Sequence, residues 1–250
     1  MAKWYSACLV SKRSRVQFSP EALSDSMNPE ELKKVCGEKA AEYVKDGMVV
    51  GLGTGSTVHY TIMKIGEMVK DGLNITAMAT SVDTENKAKG LNIKLTDINK
   101  DTPDLTIDGA DEVDPQKNLI KGGGGALTRE KIIDYRSKEF IVVADERKIV
   151  QQLGETFYLP VEVLPFSWER TKKELSEKFK FEKVELREKE NETYLTDNKN
   201  YILDCYGRIE NPVDLEKKLN NIPGVLENGL FTNCVTRVVV GKSDGVEVIE

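Results

Sequence analysis

Glycines and hydroxyl side chains are concentrated in residues 51–57, which read Gly-Leu-Gly-Thr-Gly-Ser-Thr. This segment follows a short apolar run and precedes a helical pattern, so it would present free backbone N–H groups and the positive end of a helix to an anion. It is not a dinucleotide fingerprint, because Ser56 stands where the last glycine belongs, and a Walker loop would need a lysine here. We predict an anion-binding turn, with a ligand-free turn as the alternative; the candidate contacts are Thr54, Gly55, Ser56 and Thr57.

Two carboxylates follow the apolar residues 105–107, in the sequence Asp108-Gly109-Ala110-Asp111. If residues 105–107 form a strand, both carboxylates lie near its carboxyl end, which is where ligands bind in open α/β sheets. Crowded carboxyl groups hold different pKa values, and this suits acid–base catalysis on a small substrate. The alternative is a solvated acidic loop or a site for a divalent cation such as magnesium.

Lys121 is followed by four glycines, residues 122–125. Because each glycine loses much conformational entropy on folding, packing alone explains such a run poorly. The backbone amides could close around a ligand, and the Lys121 ammonium could neutralise a developing oxyanion. Glu130 lies further on, in a helix predicted over residues 127–135. It is a candidate carboxylate base with a pKa raised by burial, although its spacing alone favours an exposed helix position.

The composition argues against several other kinds of chemistry. The 250 residues carry a net charge of −6, which disfavours nucleic-acid binding, and no apolar run approaches the roughly 18 residues of a membrane span. The four cysteines are far apart, so we predict free thiols in a reducing cytoplasm. A single histidine, His59, argues against a Ser-His-Asp relay and against a histidine-rich metal site. Neither of these two mechanisms is therefore expected.

From residue 28 onward, short apolar strands alternate with helices. This alternation predicts an α/β fold with a mostly parallel, Rossmann-like sheet covered by helices on both faces. The predicted strands of this sheet are residues 48–50, 75–79, 93–95, 105–107, 139–144 and 237–241. Near Pro160 the pattern changes, and residues 155–228 are predicted to form a small α+β domain. The Rossmann-like domain would then comprise residues 28–154 and 229–250.

The first 27 residues differ from the rest of the chain. They lack the continuous apolar core and the cleavage pattern of a secretory signal, and they show no helical or strand period. We expect a disordered extension, or a start codon placed too early with Met27 as the true start. Protein from the native source beginning at Met27 would establish the second possibility.

Four motifs together resemble ribose-5-phosphate isomerase, type A. They are GLGTGST at 51–57, TIDGADEVD at 106–114, KGGGGALTREKI at 121–132 and VVADERK at 142–148. Two further segments, LPVEVLPF at 159–166 and IPGVLENGLF at 222–231, extend the resemblance across the small domain. The segment CYGRIE at 205–210 matches the family weakly, and residues 1–27 have no counterpart in it. The motifs occur in the order and spacing of the family, so they are far more specific together than any one glycine loop.

The resemblance implies an aldose–ketose isomerase of the non-oxidative pentose phosphate pathway. Such an enzyme interconverts ribose 5-phosphate and ribulose 5-phosphate through an enediolate, without a metal or another cofactor. It also implies a ferredoxin-like small domain, a cytoplasmic location and a homodimer or homotetramer. No nucleic acid or membrane is expected as a partner.

Carried over position by position, the resemblance implies that Lys33 and the turn at residues 54–57 hold the phosphate end of the substrate. Lys148 would be a further substrate contact. The remaining implied contacts lie in the motifs at residues 106–114 and 121–132. They are Asp108, Gly109, Ala110, Asp111, Lys121, Gly122, Gly123 and Gly124.

The same comparison implies catalytic roles for four residues. Glu130 would carry a proton between C2 and C1 of the substrate. Asp108 and Asp111 would contact sugar hydroxyls and assist ring opening, and Lys121 would stabilise the enediolate oxygen together with the glycine amides.

Two other functions stay open at this point. A sugar-phosphate deaminase or lactonase can share a similar fold, since a fold does not fix a function. A sugar-phosphate sensor is the non-enzymatic alternative, and it would bind ribose phosphate tightly without turnover despite an intact Glu130.

Overall fold

The computed structural model describes residues 28–250 and the backbone of residues 14–16. Its strands are β1 (Ser14–Val16), β2 (Val49–Leu52), β3 (Thr76–Ala79), β4 (Leu105–Gly109), β5 (Glu112–Val113), β6 (Leu119–Ile120), β7 (Glu139–Asp145), β8 (Leu159–Val163), β9 (Lys183–Leu186), β10 (Glu188–Lys189), β11 (Glu192–Thr193), β12 (Tyr201–Tyr206), β13 (Val225–Asn228), β14 (Leu230–Phe231), β15 (Arg237–Lys242) and β16 (Gly245–Ile249). Its α-helices are α1 (Pro29–Ala41), α2 (Ser56–Lys70), α3 (Val82–Gly90), α4 (Leu127–Asp134), α5 (Trp168–Lys178) and α6 (Pro212–Asn220).

The main sheet has seven strands in the order β1-β16-β15-β7-β4-β2-β3. The five strands from β15 to β3 run parallel, while β16 and β1 are antiparallel to their neighbours. This arrangement confirms the predicted mostly parallel α/β sheet. Parallel strands all point in the same direction, so their carboxyl ends form one edge of the sheet. The loops that follow β2, β4 and β7 therefore lie next to one another at this edge.

The two faces of the sheet are covered differently. Side chains alternate along a strand, so Ile141 and Val143 of β7 join a core with α1 and α2, whereas Phe140 and Val142 join a second core. That second face is covered in part by a small three-stranded sheet, β14-β6-β5, and α4 packs against β4. Helices therefore lie on both faces, as predicted.

The start of α1 follows from the local sequence. The Asn28 side chain accepts hydrogen bonds from the N–H groups of Glu30 and Glu31, and the Glu31 carboxylate accepts one from the Asn28 N–H. This reciprocal capping box, with Pro29 at the first helical position, satisfies N–H groups that a helix otherwise leaves unpaired. The helix thereby begins at a fixed point, which places Lys33 on its first turns.

The small domain lies between β7 and β15 in sequence. It runs β8-α5-β9-β12-α6-β13, and its antiparallel sheet has the order β13-β8-β12-β9. This βαββαβ pattern is ferredoxin-like, as the resemblance implies. Its core is built from the inward side chains of the sheet and of both helices, for example Val161, Leu175, Leu203 and Leu219.

Some elements differ from the sequence predictions. The strand predicted at residues 93–95 is wrong, because Leu95 makes a single bridge to Ala77 and residues 91–92 form a turn. The two-residue strands β5, β6 and β14 and the C-terminal β16 were not predicted. Within residues 1–27, Ser14–Val16 pair antiparallel with β16 as a strand, and the rest of the predicted extension lies outside the described residues. No helix in the described part of the chain is long and apolar enough to cross a membrane.

Candidate active site

A cavity of about 200 Å³ opens at the carboxyl ends of β2 and β4. Its wall consists of Lys33, Thr54, Gly55, Ser56, Thr57, Gly109, Ala110, Asp111, Lys121, Gly122, Gly123, Gly124, Glu130, Arg147 and Lys148. The structure thus brings together every site residue predicted from the sequence except Asp108, which lies behind the wall. Residues that are up to 115 positions apart in sequence meet here, because the loops after parallel strands share one edge of the sheet and α1 contributes Lys33.

The turn before α2 is built to expose backbone amides. Gly55 is the N-cap of α2 with φ of +124°, a conformation that L side chains rarely adopt. No side chain caps the first turn of this helix, so the amides at Ser56 and Thr57 point toward the cavity with the positive end of the helix dipole. This arrangement suits a phosphate group.

The hydroxyl of Thr54 does not serve as a free ligand donor. Its Oγ1 lies 2.8–3.2 Å from the hydroxyl oxygens of Thr80, Ser81 and Thr84, and these contacts hold the turn to the start of α3. The sequence suggested three hydroxyl donors, but only Ser56 and Thr57 have side chains without such a cluster. Thr54 therefore fixes the shape of the turn.

Besides Lys121, three cationic side chains lie on the cavity wall: Lys33, Arg147 and Lys148. Lys33 donates to Glu30 at 2.7 Å, and hydrogen bonds from Lys33 and Tyr60, with the charge of Arg147, lower the pKa of Glu30. Lys33 and Arg147 are therefore neighbours around this carboxylate. Lys148 lies over the ring of Phe157 at 5.5 Å. Arg147 was missed in the sequence, although its position beside Lys148 in the VVADERK motif is a usable signal.

Asp108 is completely buried at the end of β4. Its Oδ1 accepts hydrogen bonds from the N–H groups of Thr54 at 3.0 Å and Gly109 at 2.6 Å, and its Oδ2 lies 2.9 Å from Lys121 Nζ. A side chain at Gly53 would not fit, since its Cβ would stand 2.0 Å from Oδ1. Asp108 thus ties the anion-binding turn to Lys121 from behind the wall.

Asp111 lies on the wall, where its Oδ2 accepts a hydrogen bond from the Gly123 N–H at 2.7 Å. Burial raises the pKa of Asp111, while the Gly123 N–H and the charges of Lys148 and Lys121 lower it in part. A carboxyl group held between these opposing effects can both accept and donate a proton.

Lys121 is 2% exposed and lies among three carboxylates. Its Nζ donates to the Gly109 carbonyl at 2.7 Å and is 3.4 Å from Glu130 and 4.0 Å from Asp134. Burial opposes the charge on Lys121, but the neighbouring carboxylates outweigh it and raise the pKa of this ammonium. The lysine is therefore a fixed positive charge at the floor of the cavity.

Glu130 is 4% exposed, so the exposed helix position that its spacing favoured is wrong. Helix α4 packs against β4 and turns Glu130 into the cavity, and this long-range packing cannot be read from the local sequence. Burial raises the pKa of Glu130 to about 8, although Lys121 lowers it. Its Oε2 has no hydrogen-bond partner within the described residues. A carboxylate with these properties suits proton abstraction near neutral pH.

Asp134 is a carboxylate that sequence reasoning missed. It lies one turn after Glu130 on α4, is 1% exposed, and neither of its oxygens has a hydrogen-bond partner within the described part of the chain. Burial raises the pKa of Asp134 well above its usual value, and the nearby charge of Asp108 adds to this effect. The i, i+4 spacing from a candidate base was the available signal.

The arrangement joins an anion site to a dry acid–base centre. A buried carboxylate, a fixed ammonium and backbone amides surround a space large enough for a small sugar phosphate. These groups can take a proton from a carbon next to a carbonyl and stabilise the oxyanion that forms. Over the described residues, no group of three or more His, Cys, Asp or Glu side chains is placed to hold a metal ion.

Sequence comparison assigns the chain to a known family. The model of the family described as ribose 5-phosphate isomerase A (phosphoriboisomerase A) matches residues 76–245. The chain belongs to this family. Ribose-5-phosphate isomerase A of Bacillus mycoides is 48% identical over 219 residues, covering 86% of this chain and 98% of the relative. An isomerase of Oceanobacillus iheyensis, ribose-5-phosphate isomerase A 1, is 50% identical over 222 residues, covering 88% of this chain and 98% of that relative.

Solved structures agree with the family assignment. A D-ribose-5-phosphate isomerase in complex with phospho-erythronic acid is 44% identical, with a TM-score of 0.86, and covers 90% of this chain and 100% of that structure. Ribose 5-phosphate isomerase A of Methanocaldococcus jannaschii is 40% identical, with a TM-score of 0.85, and the match covers 89% of this chain and 100% of that structure. The predicted enzyme class is thereby confirmed: the protein is an aldose–ketose isomerase of the ribose 5-phosphate isomerase A family.

Proposed function

We propose that this isomerase interconverts ribose 5-phosphate and ribulose 5-phosphate, the reaction of the pentose phosphate pathway, with Glu130 as the proton carrier. The observation that carries the proposal is the buried pair of Glu130 and Lys121, whose charged groups lie 3.4 Å apart on the cavity wall. The pair offers a base and an oxyanion stabiliser within reach of the same two carbon atoms. Proton transfer between C2 and C1 requires this combination.

The phosphate of the substrate would bind at the start of α2. The uncapped amides and the hydroxyls of Ser56 and Thr57 supply hydrogen bonds, and Lys33 and Arg147 supply positive charge. Both features stabilise a bound phosphate dianion, because the positive end of the helix dipole and the two cations each attract negative charge. Anchoring the phosphate there would direct the aldehyde end of an open-chain pentose toward Glu130.

In the direction from aldose to ketose, the Glu130 carboxylate takes the proton from C2. The C2–H electron pair forms the C1–C2 double bond, and the carbonyl electrons move to O1 to give an enediolate. Lys121 and the N–H groups of the glycine loop stabilise the charge on O1. Glu130 then returns the proton to C1 and regenerates its carboxylate, while the proton of the O2 hydroxyl passes to O1, so no proton is gained or lost overall.

Asp111 would move the hydroxyl proton between O2 and O1 and would assist ring opening. Its position on the wall and its raised pKa support this role. Asp108 would act on the substrate through Lys121, because it is enclosed behind the wall. This assignment refines the direct sugar contact that the family resemblance implied for Asp108.

A cytoplasmic location and a homodimeric or homotetrameric assembly are part of the proposal. Cys36 and Cys205 are buried free thiols, which is typical of a reducing compartment such as the cytoplasm. Phe166 is 88% exposed beside the half-exposed Leu164 on the small domain, and such a patch suits a subunit contact in a homodimer or homotetramer. Light scattering on the purified protein would give the subunit number directly.

The direct test is turnover of ribose 5-phosphate in the presence of EDTA, followed as ketose formation. We expect wild-type activity to survive chelation, and Glu130→Gln to lose at least about 1,000-fold in kcat while still binding substrate. Glu67→Gln, a change at an exposed helix residue, is the matched control and should be unaffected. Tight binding without turnover by the wild type would instead identify a sensor.

Inhibition provides a second test. Phospho-erythronic acid is bound in the related structure described above. Its carboxylate resembles the two oxygens of the enediolate, so we expect it to inhibit competitively. Absence of competition would contradict the proposed position of the enediolate between Lys121 and the glycine loop.

A further inference from the structure

Arg187 belongs to the small domain, yet its guanidinium contacts the glycine loop of the active site. It follows β9 and is buried, and its Nη1 donates hydrogen bonds to the carbonyl oxygens of Gly122 at 2.9 Å and Gly123 at 3.0 Å. Its Nε and Nη2 donate to the Asp204 carboxylate at 3.0 and 2.6 Å. The guanidinium is therefore fixed on one side by a bidentate ion pair, and it fixes the loop on the other.

The peptide unit that joins Gly122 and Gly123 is a bridge between Arg187 and Asp111. Its carbonyl accepts from Arg187, and its N–H donates to Asp111 Oδ2 at 2.7 Å. A trans peptide is planar, and its C=O and N–H point in opposite directions. The position of the guanidinium consequently determines where the N–H that holds the Asp111 carboxylate points.

The next peptide unit is held in the same way. The Gly123 carbonyl accepts from Arg187, so the N–H of Gly124 points away from the guanidinium, and Gly124 itself lines the cavity. Tyr194 donates to the Gly124 carbonyl at 3.1 Å and adds a further anchor. Four consecutive glycines have high conformational freedom, and these contacts remove it where the amides face the substrate.

Position matters more here than charge. Asp204 pairs with Arg187 at 2.6 Å, and the charge of Arg187 is the weakest of the influences that lower the pKa of Asp111. The two carbonyl contacts are short and directional, and a misplacement of about 1 Å at a reacting group can lower a rate about 100-fold. The rings of Tyr158 and Tyr194, centred 5.4 and 5.9 Å from the guanidinium carbon, further restrict its movement.

We propose that Arg187 is a positioning residue of the isomerase: it holds the glycine loop so that one amide orients Asp111 and the next faces the oxyanion. This inference rests on the proposed function. It makes the small domain part of the catalytic apparatus, because the residue that shapes the loop comes from that domain. The Arg187–Asp204 pair is the unit that performs this role.

The test compares two variants with a matched control. Arg187→Lys keeps the charge but cannot contact Asp204 and both carbonyls in a planar fork. The double variant Arg187→Gln/Asp204→Asn removes both charges, so it leaves no unpaired carboxylate buried. It keeps the proposal testable if Arg187→Lys fails to fold. Arg208→Lys is the control, since Arg208 is an exposed arginine of the small domain that pairs with Glu155 at 3.2 Å.

We expect kcat to fall about 10- to 100-fold in both variants, while KM changes less than about threefold because the phosphate turn is untouched. Hydrogen exchange of the peptide covering residues 121–126 should accelerate in both variants and stay unchanged in the Arg208→Lys control. Hydrogen exchange measures the mobility of the loop and does not require turnover. An inactive wild-type protein would therefore contradict the proposed function without deciding whether Arg187 holds the loop. Faster exchange with kcat within twofold of wild type, or unchanged exchange in folded variants, would overturn the positioning role.

Discussion

The ammonium of Lys121 lies 2.9 Å from Asp108 and also faces Glu130 and Asp134, and none of the four residues is more than 4% exposed. One cation thus meets three buried carboxyl groups. Ionising all of them would leave two uncompensated negative charges at low dielectric, which is very unfavourable. At least one carboxyl group therefore keeps its proton at neutral pH. The burial that raises the pKa values of Glu130 and Asp134 is the physical origin of this retained proton.

The first prediction concerns the loss of the Lys121 cation. Lys121→Met keeps the length of the side chain but removes the charge that stabilises the oxyanion, so we expect kcat to fall by about 1,000-fold. The variant should also be less stable by roughly 3–5 kcal/mol at pH 8, because ionised carboxylates lose their partner. Steady-state kinetics and chemical denaturation measure the two effects. Lys138→Met removes an exposed lysine that pairs with Asp104 at the surface, and a loss of similar size there would contradict the argument.

The second prediction concerns the pH dependence of turnover. A base must be ionised to accept a proton, and burial raises the pKa of Glu130 to about 8. We expect kcat/KM to increase with pH and to level off above about 8. The residual activity of Glu130→Gln should not show this ionisation. A wild-type profile that is flat from pH 6 to pH 9 would exclude Glu130 as the group that limits the rate.

The third prediction tests the packing behind the wall. In Gly53→Ala the new Cβ would stand 2.0 Å from Asp108 Oδ1, so the carboxylate cannot keep its present contacts with the Thr54 N–H and with Lys121. We expect kcat to fall at least about 10-fold and stability to decrease by about 1–3 kcal/mol. Gly90→Ala, at the end of α3, is the matched control because its Cβ would meet nothing within 4 Å. Its stability should change by less than about 1 kcal/mol.

Local patterns were sufficient for the elements that carry the site. The turn at residues 51–57 is a continuous segment, and its glycines, hydroxyls and flanking periodicity are visible without knowledge of the fold. The same holds for the capping box at Asn28, which depends on residues within one helical turn. Two-residue strands such as β5 and β6 have no period, and they form because they pair with each other and with β14.

Burial and cross-domain contacts were not accessible from local patterns. Glu130 is a typical exposed helix residue by spacing, and only the packing of α4 on β4 encloses it. Arg187 lies in a charge-rich segment that is most simply interpreted as a solvated surface, whereas Asp204 and two loop carbonyls bury it. In both cases the partners are distant in sequence, so residue type and spacing carry no information about them.

The last prediction uses Asp134, whose pKa burial raises well above its usual value. Between the unfolded pKa, near 4, and the higher folded pKa, the native state holds a proton that the unfolded chain has released. This difference makes the native protein progressively less stable as pH rises through that window. Asp134→Asn cannot ionise, so its stability relative to wild type should increase from pH 4 to pH 8, by on the order of 1–3 kcal/mol. Denaturation curves at both pH values measure the change, and Asp83→Asn, at an exposed pair with Lys87, should show no such increase. Equal slopes for Asp134→Asn and wild type would mean that Asp134 is ionised in the folded protein, and that the retained proton resides on another carboxyl group.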